Sequence, residues 1–288
     1  MTRGSVSMTA RGGTLLLLCL VAGTAYAEDD ARPLMEKVWA GLRGVTTERD
    51  TLDVLIVAAP DQTRYQPHEA RALAERRPAN VTHKRAVRSI RYAPDGTDKL
   101  HIVFLEPRED RGTAFMVWRQ PSGDPDDQWL FLPALKRARR VPASSTQTFV
   151  GTDFIYEDVR ALTSEPLERF DYVMVGEEDV DGTPCSLVRA LPKSGTSSAY
   201  AARVIAIAKA SRFPLRVAYH DQRGAVVKLQ HNVAPREVKP GVWRPELTEM
   251  RDLGLNETTL ISFAAREIDP SLKAEIFTQD HLERWTGE

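Results

Sequence analysis

Short strand-like segments joined by tight turns recur along most of this chain, and they limit the possible folds more than any other feature. Between Thr51 and Ile268, apolar or alternating runs are separated by turn signals such as Asp95-Gly96 and Asp181-Gly182, which favour two-residue hairpins. Roughly eleven strands follow one another in this way, a pattern typical of a meandering antiparallel sheet. The sequence therefore predicts a mainly β protein of the α+β type.

Several of these strands are apolar on both faces, including Ile102–Leu105, Trp129–Leu132 and Val204–Ile207. An open twisted sheet rarely exceeds ~10 strands without curling, so we expect a single curved antiparallel sheet. A sheet with one wet face would show alternation. We expect one face to pack on helices and the other to line a cavity or a second layer, and an ordinary sandwich core is the alternative.

Helical patterns lie at both ends of the strand series and after its first strand. Glu28–Arg43 has one apolar stripe that includes Met35 and Trp39, and Pro67–Arg77 is a short charged helix. Asp280–Trp285 is expected to form a final short helix or tail. The first of these helices either covers the core of the protein or forms a lid over a lipid cavity.

The first 27 residues have the pattern of a cleavable signal peptide. Arg3 and Arg11 precede a short apolar run, and Ala25-Tyr26-Ala27 is an A-x-A cleavage signal. Cleavage after Ala27 would release residues 28–288 into the periplasm, and because no repeat or linker divides them we expect one domain. Lipidation at Cys19 is the alternative, although the preceding Leu18 is larger than the residue usual there.

Charge and cysteine content exclude several classes of protein. The net charge of −1 lacks the basic excess that general nucleic-acid binding requires. Beyond the leader, Cys185 is the one cysteine, so no internal disulfide is expected even in an oxidising compartment. Its place in a predicted hairpin strand favours a buried structural residue.

No recognised catalytic motif is present, so we expect no catalytic residue, metal or cofactor. Nucleophile elbows, zincin motifs, paired zinc cysteines and glycine-rich phosphate loops are all missing from the sequence. His220, Asp221 and His231 could meet across a hairpin to bind a metal, but a third strong ligand is not placed. A hydrolase with a non-standard site at His220 or His231 stays open as a further alternative.

The densest stretch of the chain runs from Gln128 to Val159. Its apolar strand is followed by four cations in five residues, Lys136, Arg137, Arg139 and Arg140. They either lie in solvent along a strand edge, where they discourage pairing with other chains, or they contact an anionic lipid headgroup or an acidic partner. Asp153 is expected to cap a short acidic helix that also contains Glu157 and Asp158.

This stretch and its surroundings resemble the LolA-like outer-membrane lipoprotein-sorting family over nearly all of residues 28–288. The signature turn of the resemblance comprises Phe149, Gly151, Thr152, Asp153 and Phe154. Other matching segments are Arg111–Phe115, Gln128–Leu135, Arg139–Val141, Tyr156–Asp158, Ser198–Tyr200, Phe213–Val217 and Phe277–Arg284. Two departures are the longer insertion at Asp61–Ala79 and the lack of a match to the cavity arginine of the lipoprotein carrier.

The resemblance implies an incomplete β-barrel whose concave face is covered by a few helices, with acyl chains held between them. It also implies a periplasmic, non-enzymatic carrier of lipoproteins or other lipids, without a cofactor, working with an RND-type exporter or an inner-membrane release complex. Our candidates for the cavity wall are Met35, Trp39, Phe104, Trp118, Trp129 and Phe131. An envelope sensor or adaptor of the same fold, binding a protein partner through the basic residues, is the alternative.

Overall fold

Fifteen strands and four α-helices form the part of the chain described by this computed structural model, which comprises residues 31–58, 64–120, 125–162, 165–255 and 257–284. The predicted signal peptide and Cys19 lie outside these residues. The helices are α1 (Ala31–Leu42), α2 (Pro67–Arg76), α3 (Tyr156–Ala161) and α4 (Gln279–Arg284). The strands are β1 (Thr47–Ala58), β2 (Val81–Arg91), β3 (Lys99–Glu106), β4 (Ala114–Trp118), β5 (Asp127–Leu132), β6 (Arg137–Arg140), β7 (Phe170–Val180), β8 (Thr183–Pro192), β9 (Ala202–Ala208), β10 (Pro214–His220), β11 (Val226–Val233), β12 (Arg236–Lys239), β13 (Val242–Arg244), β14 (Leu247–Asp252) and β15 (Glu257–Ile268).

One curved antiparallel sheet contains 13 of these strands, in the order β6-β5-β4-β3-β2-β1-β15-β14-β11-β10-β9-β8-β7. The sheet does not close into a barrel, so β6 and β7 are its two edges. At its centre β1 pairs with β15, which joins the first strand to the last. The remaining hairpin, β12–β13, is inserted between β11 and β14. The predicted fold class is confirmed.

The predicted count of roughly eleven strands is lower than the fifteen observed, and two of the differences have a clear physical reason. Strand β6 contains three arginines and no large apolar residue, so it has no strand signal of its own and forms by pairing with β5. The sequence from Val242 to Arg251 has the pattern of one strand, but Pro245 divides it between β13 and β14, because proline has no backbone N–H to donate to a ladder.

The two faces of the sheet are covered by different elements. The face that carries Leu52, Val54 and Ala86 is called the inner face. Helix α1 packs on it, and so do residues 141–162, which we call the cover segment. In α1 the buried residues Ala31, Met35 and Val38 recur at helical spacing and form its contact stripe. Burying each large apolar side chain stabilises such a layer by about 1.5–3 kcal/mol.

The outer face is covered by α2 and α4. Ala70 of α2 packs with Leu55, Leu247 and Leu260, and Leu282 of α4 packs near Trp129. Strands that are apolar on both sides therefore pack against α1 or the cover segment on the inner face. On the outer face they pack against α2 or α4. None of the helices in the described residues is long and apolar enough to cross a membrane.

Candidate functional site

A cavity of about 130 Å³ lies between the inner face and its cover. Its wall is mostly apolar and is built from α1, the cover segment and strands from both halves of the sheet. The apolar lining residues include Met35, Val38, Trp39, Leu42, Leu52, Val54, Ala86, Ile102, Phe104, Phe149, Phe154, Val159, Ile205, Val217, Ile261 and Phe263.

The predicted cavity residues divide between the two faces of the sheet. Met35, Trp39 and Phe104 line the cavity. Trp118, Trp129 and Phe131 instead pack near Leu282 of α4 on the outer face, so placing them in the cavity wall was wrong. Both faces of β4 and β5 are apolar, so alternation could not identify the inward set. Lipid contact at the first three residues stays a prediction.

The signature turn contributes Phe149, Thr152 and Phe154 to the cavity wall. The Phe149 amide donates to the Phe154 carbonyl at 2.7 Å, and the Thr152 hydroxyl donates to the Phe149 carbonyl at 2.7 Å. Gly151 has φ +70°, a conformation that costs glycine little. The Phe149 ring lies 5.8, 5.3 and 5.6 Å from the rings of Phe104, Phe115 and Tyr156. The turn thus closes an aromatic cluster over the inner face.

Asp153 does not cap α3, which corrects the sequence-based prediction. The helix begins after Ile155, whose amide donates to the Asp158 carboxylate at 2.9 Å. Asp153 instead accepts a 2.7 Å hydrogen bond from the Thr259 hydroxyl on β15. It therefore ties the cover segment to the inner face rather than starting the helix.

Five charged residues form one ionic group beside the cavity, which we call the arginine cluster: Glu48, Asp50, Arg88, Arg244 and Arg266. The first four are buried and Arg266 is half-buried. Cross-strand pairing produces it, because Asp50 is opposite Arg88 on β2 and opposite Arg266 on β15. Asp50 accepts hydrogen bonds from Arg88 Nε at 3.0 Å and from Arg266 Nε at 2.8 Å. Glu48 accepts from Arg88 Nη2 at 2.9 Å and from Arg244 Nε at 2.7 Å.

The carboxylates of the arginine cluster are fully buried, and their pKa values move in opposite directions. Burial opposes ionisation of Glu48, but Arg88, Arg244 and Arg266 hold its pKa below the ordinary value. Burial, with the charge of Glu48 beside it, raises the pKa of Asp50. Arg88, Arg244 and Arg266 line the cavity, whereas neither carboxylate residue does. The cavity wall is therefore cationic at this end.

A second buried group, which we call the α3 cluster, anchors the cover segment: Glu157, Asp158, Glu165, Arg203 and Lys228. Arg203 on β9 binds both Glu157 and Glu165. Lys228 Nζ lies 3.6 Å from Asp158, and the Tyr200 hydroxyl donates to Asp158 at 2.9 Å. Burial raises the pKa of Asp158 to about 6 despite the nearby lysine. Three acids share two cations here.

The predicted contact residues Lys136, Arg137, Arg139 and Arg140 are all exposed. Three of them form β6, an edge of the sheet, as the strand-edge interpretation expects. Arg140 pairs with Asp127 and lies 5.9 Å from the ring centre of Trp129. Glu283 of α4 accepts a 3.0 Å hydrogen bond from the Ala138 amide and so occupies one outward amide of this edge. Contact with a headgroup or a partner stays a prediction.

The metal-site and hydrolase interpretations of the histidines find no support. His231 is opposite Arg216 and His220 is opposite Val226, so the two rings do not meet across the hairpin. Burial and nearby arginines lower the pKa of His231 to about 3. No group of His, Cys, Asp and Glu able to hold a metal occurs in the described ranges. Cys185 is fully buried and unpaired, as expected.

Sequence reasoning missed both ionic clusters. Glu48 and Asp50 share one face of β1 with Leu52 and Val54, so acids continue an inward apolar series. This alternation of residues in β1 was the one signal in the sequence that could have indicated buried acids. Their partners at positions 88, 244 and 266 are far apart in sequence, and only the strand register brings them together.

Several solved structures share this fold along most of its length. A domain from Vibrio parahaemolyticus, named for outer membrane lipoprotein sorting, has a TM-score of 0.77 at 22% identity and covers 90% of this chain and 100% of that chain. A DUF1329 family protein from Desulfovibrio piger has a TM-score of 0.73 at 23% identity, with 87% and 97% covered. A LolA superfamily protein from Nitrosomonas europaea has a TM-score of 0.63 at 16% identity, with 87% and 98% covered.

The sequence comparisons identify a family without adding a function. A search of curated proteins found no significant match. A family model described as uncharacterized protein-like matches residues 96–284, which is more than half of the chain. The matched region runs from the β2–β3 turn to the end of α4 and includes the whole cover segment. The chain therefore belongs to this uncharacterized protein-like family, and its fold is the LolA-like fold expected from the resemblance.

Proposed function

We propose that this protein is a non-enzymatic carrier that holds an acyl chain of a lipid or lipoprotein in the cavity under α1 and the cover segment. The observation that carries the proposal is the apolar cavity wall, contributed by α1, the cover segment and strands across the sheet. Each methylene removed from water contributes about 0.8 kcal/mol. A chain of ten buried methylenes would therefore be held by about 8 kcal/mol before the costs of opening the cover.

The proposed function requires the cavity to expand when a chain is loaded. Ligand pockets commonly enclose about 300–1,000 Å³, whereas this cavity encloses about 130 Å³. An acyl chain enters only if α1 or the cover segment moves away from the inner face. Loading and release are then coupled to movement of the cover, as a carrier between two membranes requires.

The proposed place of action is the periplasm, and the proposed cargo comes from a membrane. The predicted leader and the LolA-like fold support this location. Delivery would need a donor and an acceptor, and an RND-type exporter or an inner-membrane release complex stays a prediction for those roles. The nature of the donor is a separate question from whether the cavity binds an acyl chain.

Filling the cavity tests the proposal directly. Ala86 is buried on β2 and lines the cavity, so Ala86→Phe would occupy the space without adding charge. After incubation with bacterial phospholipid vesicles, native mass spectrometry should show bound lipid on the wild type and at least about tenfold less on the variant, the ratio that 1.4 kcal/mol produces. Thr82→Phe, at an exposed position of the same strand, is the matched control and should load normally.

An envelope sensor or adaptor that binds an acidic protein partner is the second candidate. The exposed cations of β6 favour it, because the open edge of the sheet offers backbone groups as well as charge. The double variant Arg137→Glu/Arg139→Glu separates the candidates. Loss of a pull-down partner with normal lipid loading would favour the adaptor, and normal lipid loading with no partner lost would favour the carrier.

A further inference from the structure

The arginine cluster presents its positive groups to the cavity and keeps its negative groups behind them. Arg88, Arg244 and Arg266 are lining residues, whereas Glu48 and Asp50 are fully buried beneath them. An apolar cavity wall needs no guanidinium to hold a hydrocarbon chain. This end of the cavity is therefore built for something other than the chain itself.

The cluster also has more positive than negative charge. Two carboxylates face three guanidiniums, and a guanidinium does not lose its proton in a protein. An uncompensated buried charge is costly, so an anion arriving from the cavity would relieve an existing cost.

Arg266, a lining residue, keeps one guanidinium nitrogen without a protein partner in the described part of the chain. Its Nε binds Asp50 and its Nη1 donates to the Pro245 carbonyl at 3.0 Å. Its Nη2 is buried and has no hydrogen-bond partner among the described residues. The guanidinium carbon lies 4.1 Å from the ring centre of Phe263, another lining residue, so the side chain is held in place.

We infer that the arginine-cluster end of the cavity is a headgroup subsite that binds the single anionic head of an amphiphile, a carboxylate or a phosphate. The chain of the same ligand lies along the apolar wall formed by Leu52, Ala86 and Ile261. Charge-assisted hydrogen bonds from a guanidinium suit both heads. This inference rests on the proposed carrier function and adds the class of ligand to it.

The test compares heads on one chain at pH 8, by calorimetric titration of the full-length protein. Palmitate and hexadecyl phosphate should bind at least about tenfold tighter than uncharged hexadecanol, because each gains a hydrogen bond to a charged group. Arg266→Gln should reduce that preference to about threefold or less while leaving hexadecanol binding within about twofold. Arg216→Gln, which removes an arginine of an outer-face ion pair with Glu178, should leave the preference intact.

A second variant and a small-anion arm keep the test decisive. If Arg266→Gln does not fold, Arg266→Lys keeps the charge and should retain a weaker preference, since it loses the planar donor pair. Equal wild-type affinity for charged and uncharged heads would overturn the headgroup subsite and leave the carrier proposal standing. Binding of none of the three amphiphiles would overturn both. Inorganic phosphate binding as tightly as hexadecyl phosphate would show a free-anion site and also overturn the inference.

Discussion

The two buried ionic clusters beside the inner face differ in the sign of their imbalance. The arginine cluster sets two acids against three cations, and the α3 cluster sets three acids against two cations. The arginine cluster arises from cross-strand register, because Asp50 is opposite Arg88 and Arg266. In the α3 cluster the strands supply only the cations, Arg203 and Lys228, which both lie opposite Tyr219. The two constructions give one end suited to an anion and another suited to a proton.

The difference teaches that burial alone does not decide how a charged group behaves. In the arginine cluster the fully buried Glu48 stays ionised, because three guanidiniums surround it. In the α3 cluster Asp158 is equally buried, but one lysine at 3.6 Å does not offset desolvation, and its pKa rises to about 6. Removing an acid should therefore have opposite consequences in the two clusters.

The largest effect is expected for Glu48→Gln in the arginine cluster. The substitution removes the charge partner of Arg88 and Arg244 and leaves three buried cations with one acid. Breaking a buried ion pair in this way costs about 3–5 kcal/mol, so urea unfolding should show a loss of that size. Glu257→Gln, at an exposed position of β15, is the control. An unchanged urea midpoint for Glu48→Gln would contradict the claim that Glu48 is needed to balance the buried arginines.

Asp158→Asn in the α3 cluster should instead flatten the pH dependence of stability. The folded pKa of about 6 lies above the ordinary 3.8, so between pH 4 and 6 the folded state binds more protons than the unfolded state. Stability from this group therefore falls as the pH rises from 4 to 7, by about 3 kcal/mol. The measurement is the difference between wild type and variant in urea unfolding across that range.

Other titrating groups also change stability with pH. The difference in unfolding free energy between the wild type and Asp158→Asn is therefore more informative than either curve alone. His101 and His231 have pKa values lowered to about 4 and about 3 by burial, so they contribute stability that is lost as the pH falls below their ordinary value of 6.5. Those contributions cancel in the comparison. A wild-type curve parallel to that of Asp158→Asn would refute the raised pKa.

A smaller effect is expected for Tyr200→Phe, which removes the hydroxyl that donates to Asp158. The lost hydrogen bond should cost about 1 kcal/mol. Because that bond favours the charged carboxylate, the pKa of Asp158 should also rise further, and the pH dependence should shift to higher pH. Tyr65→Phe, at a half-buried position outside the cluster, is the comparison. A shift to lower pH would mean that the bond favours the protonated acid.

The pattern of strands was predictable from sequence because hairpin turns and apolar runs are local signals. The apolar runs Ile102–Leu105, Trp129–Leu132 and Val204–Ile207 all lie within observed strands, β3, β5 and β9. The edge strand β6 was not predictable, since its arginines take strand form through pairing with β5. The direction in which Trp129 faces was not predictable either, because β5 is apolar on both sides and the position of α4 decides it.

The clusters depend on information that a single sequence does not contain. Arg266 is 216 residues from Asp50, and only the pairing of the first strand with the last makes them neighbours. Alternation in β1 places acids on the inward side, yet it does not identify their partners. The signature turn was recognisable, but its bond to Thr259 depends on where β15 passes beneath it.

The smallest effect on stability is expected at the basic edge of the sheet. Arg137→Glu/Arg139→Glu changes two exposed side chains on β6, and surface substitutions of this kind rarely change stability. Its thermal midpoint should therefore match that of the wild type. A large fall would show that these residues support the fold and would remove them as a means of separating carrier from adaptor.

The central claim is that an acyl chain occupies the inner-face cavity, and photolabelling tests it most directly. A fatty acid with a diazirine at the end of its chain, irradiated in complex with the protein, should label cavity residues such as Met35, Phe104 or Phe149. Residue-level mass spectrometry distinguishes these from the outer-face residues Trp129 and Phe131. Labelling confined to the outer face, or no labelling above a heat-denatured control, would contradict the account.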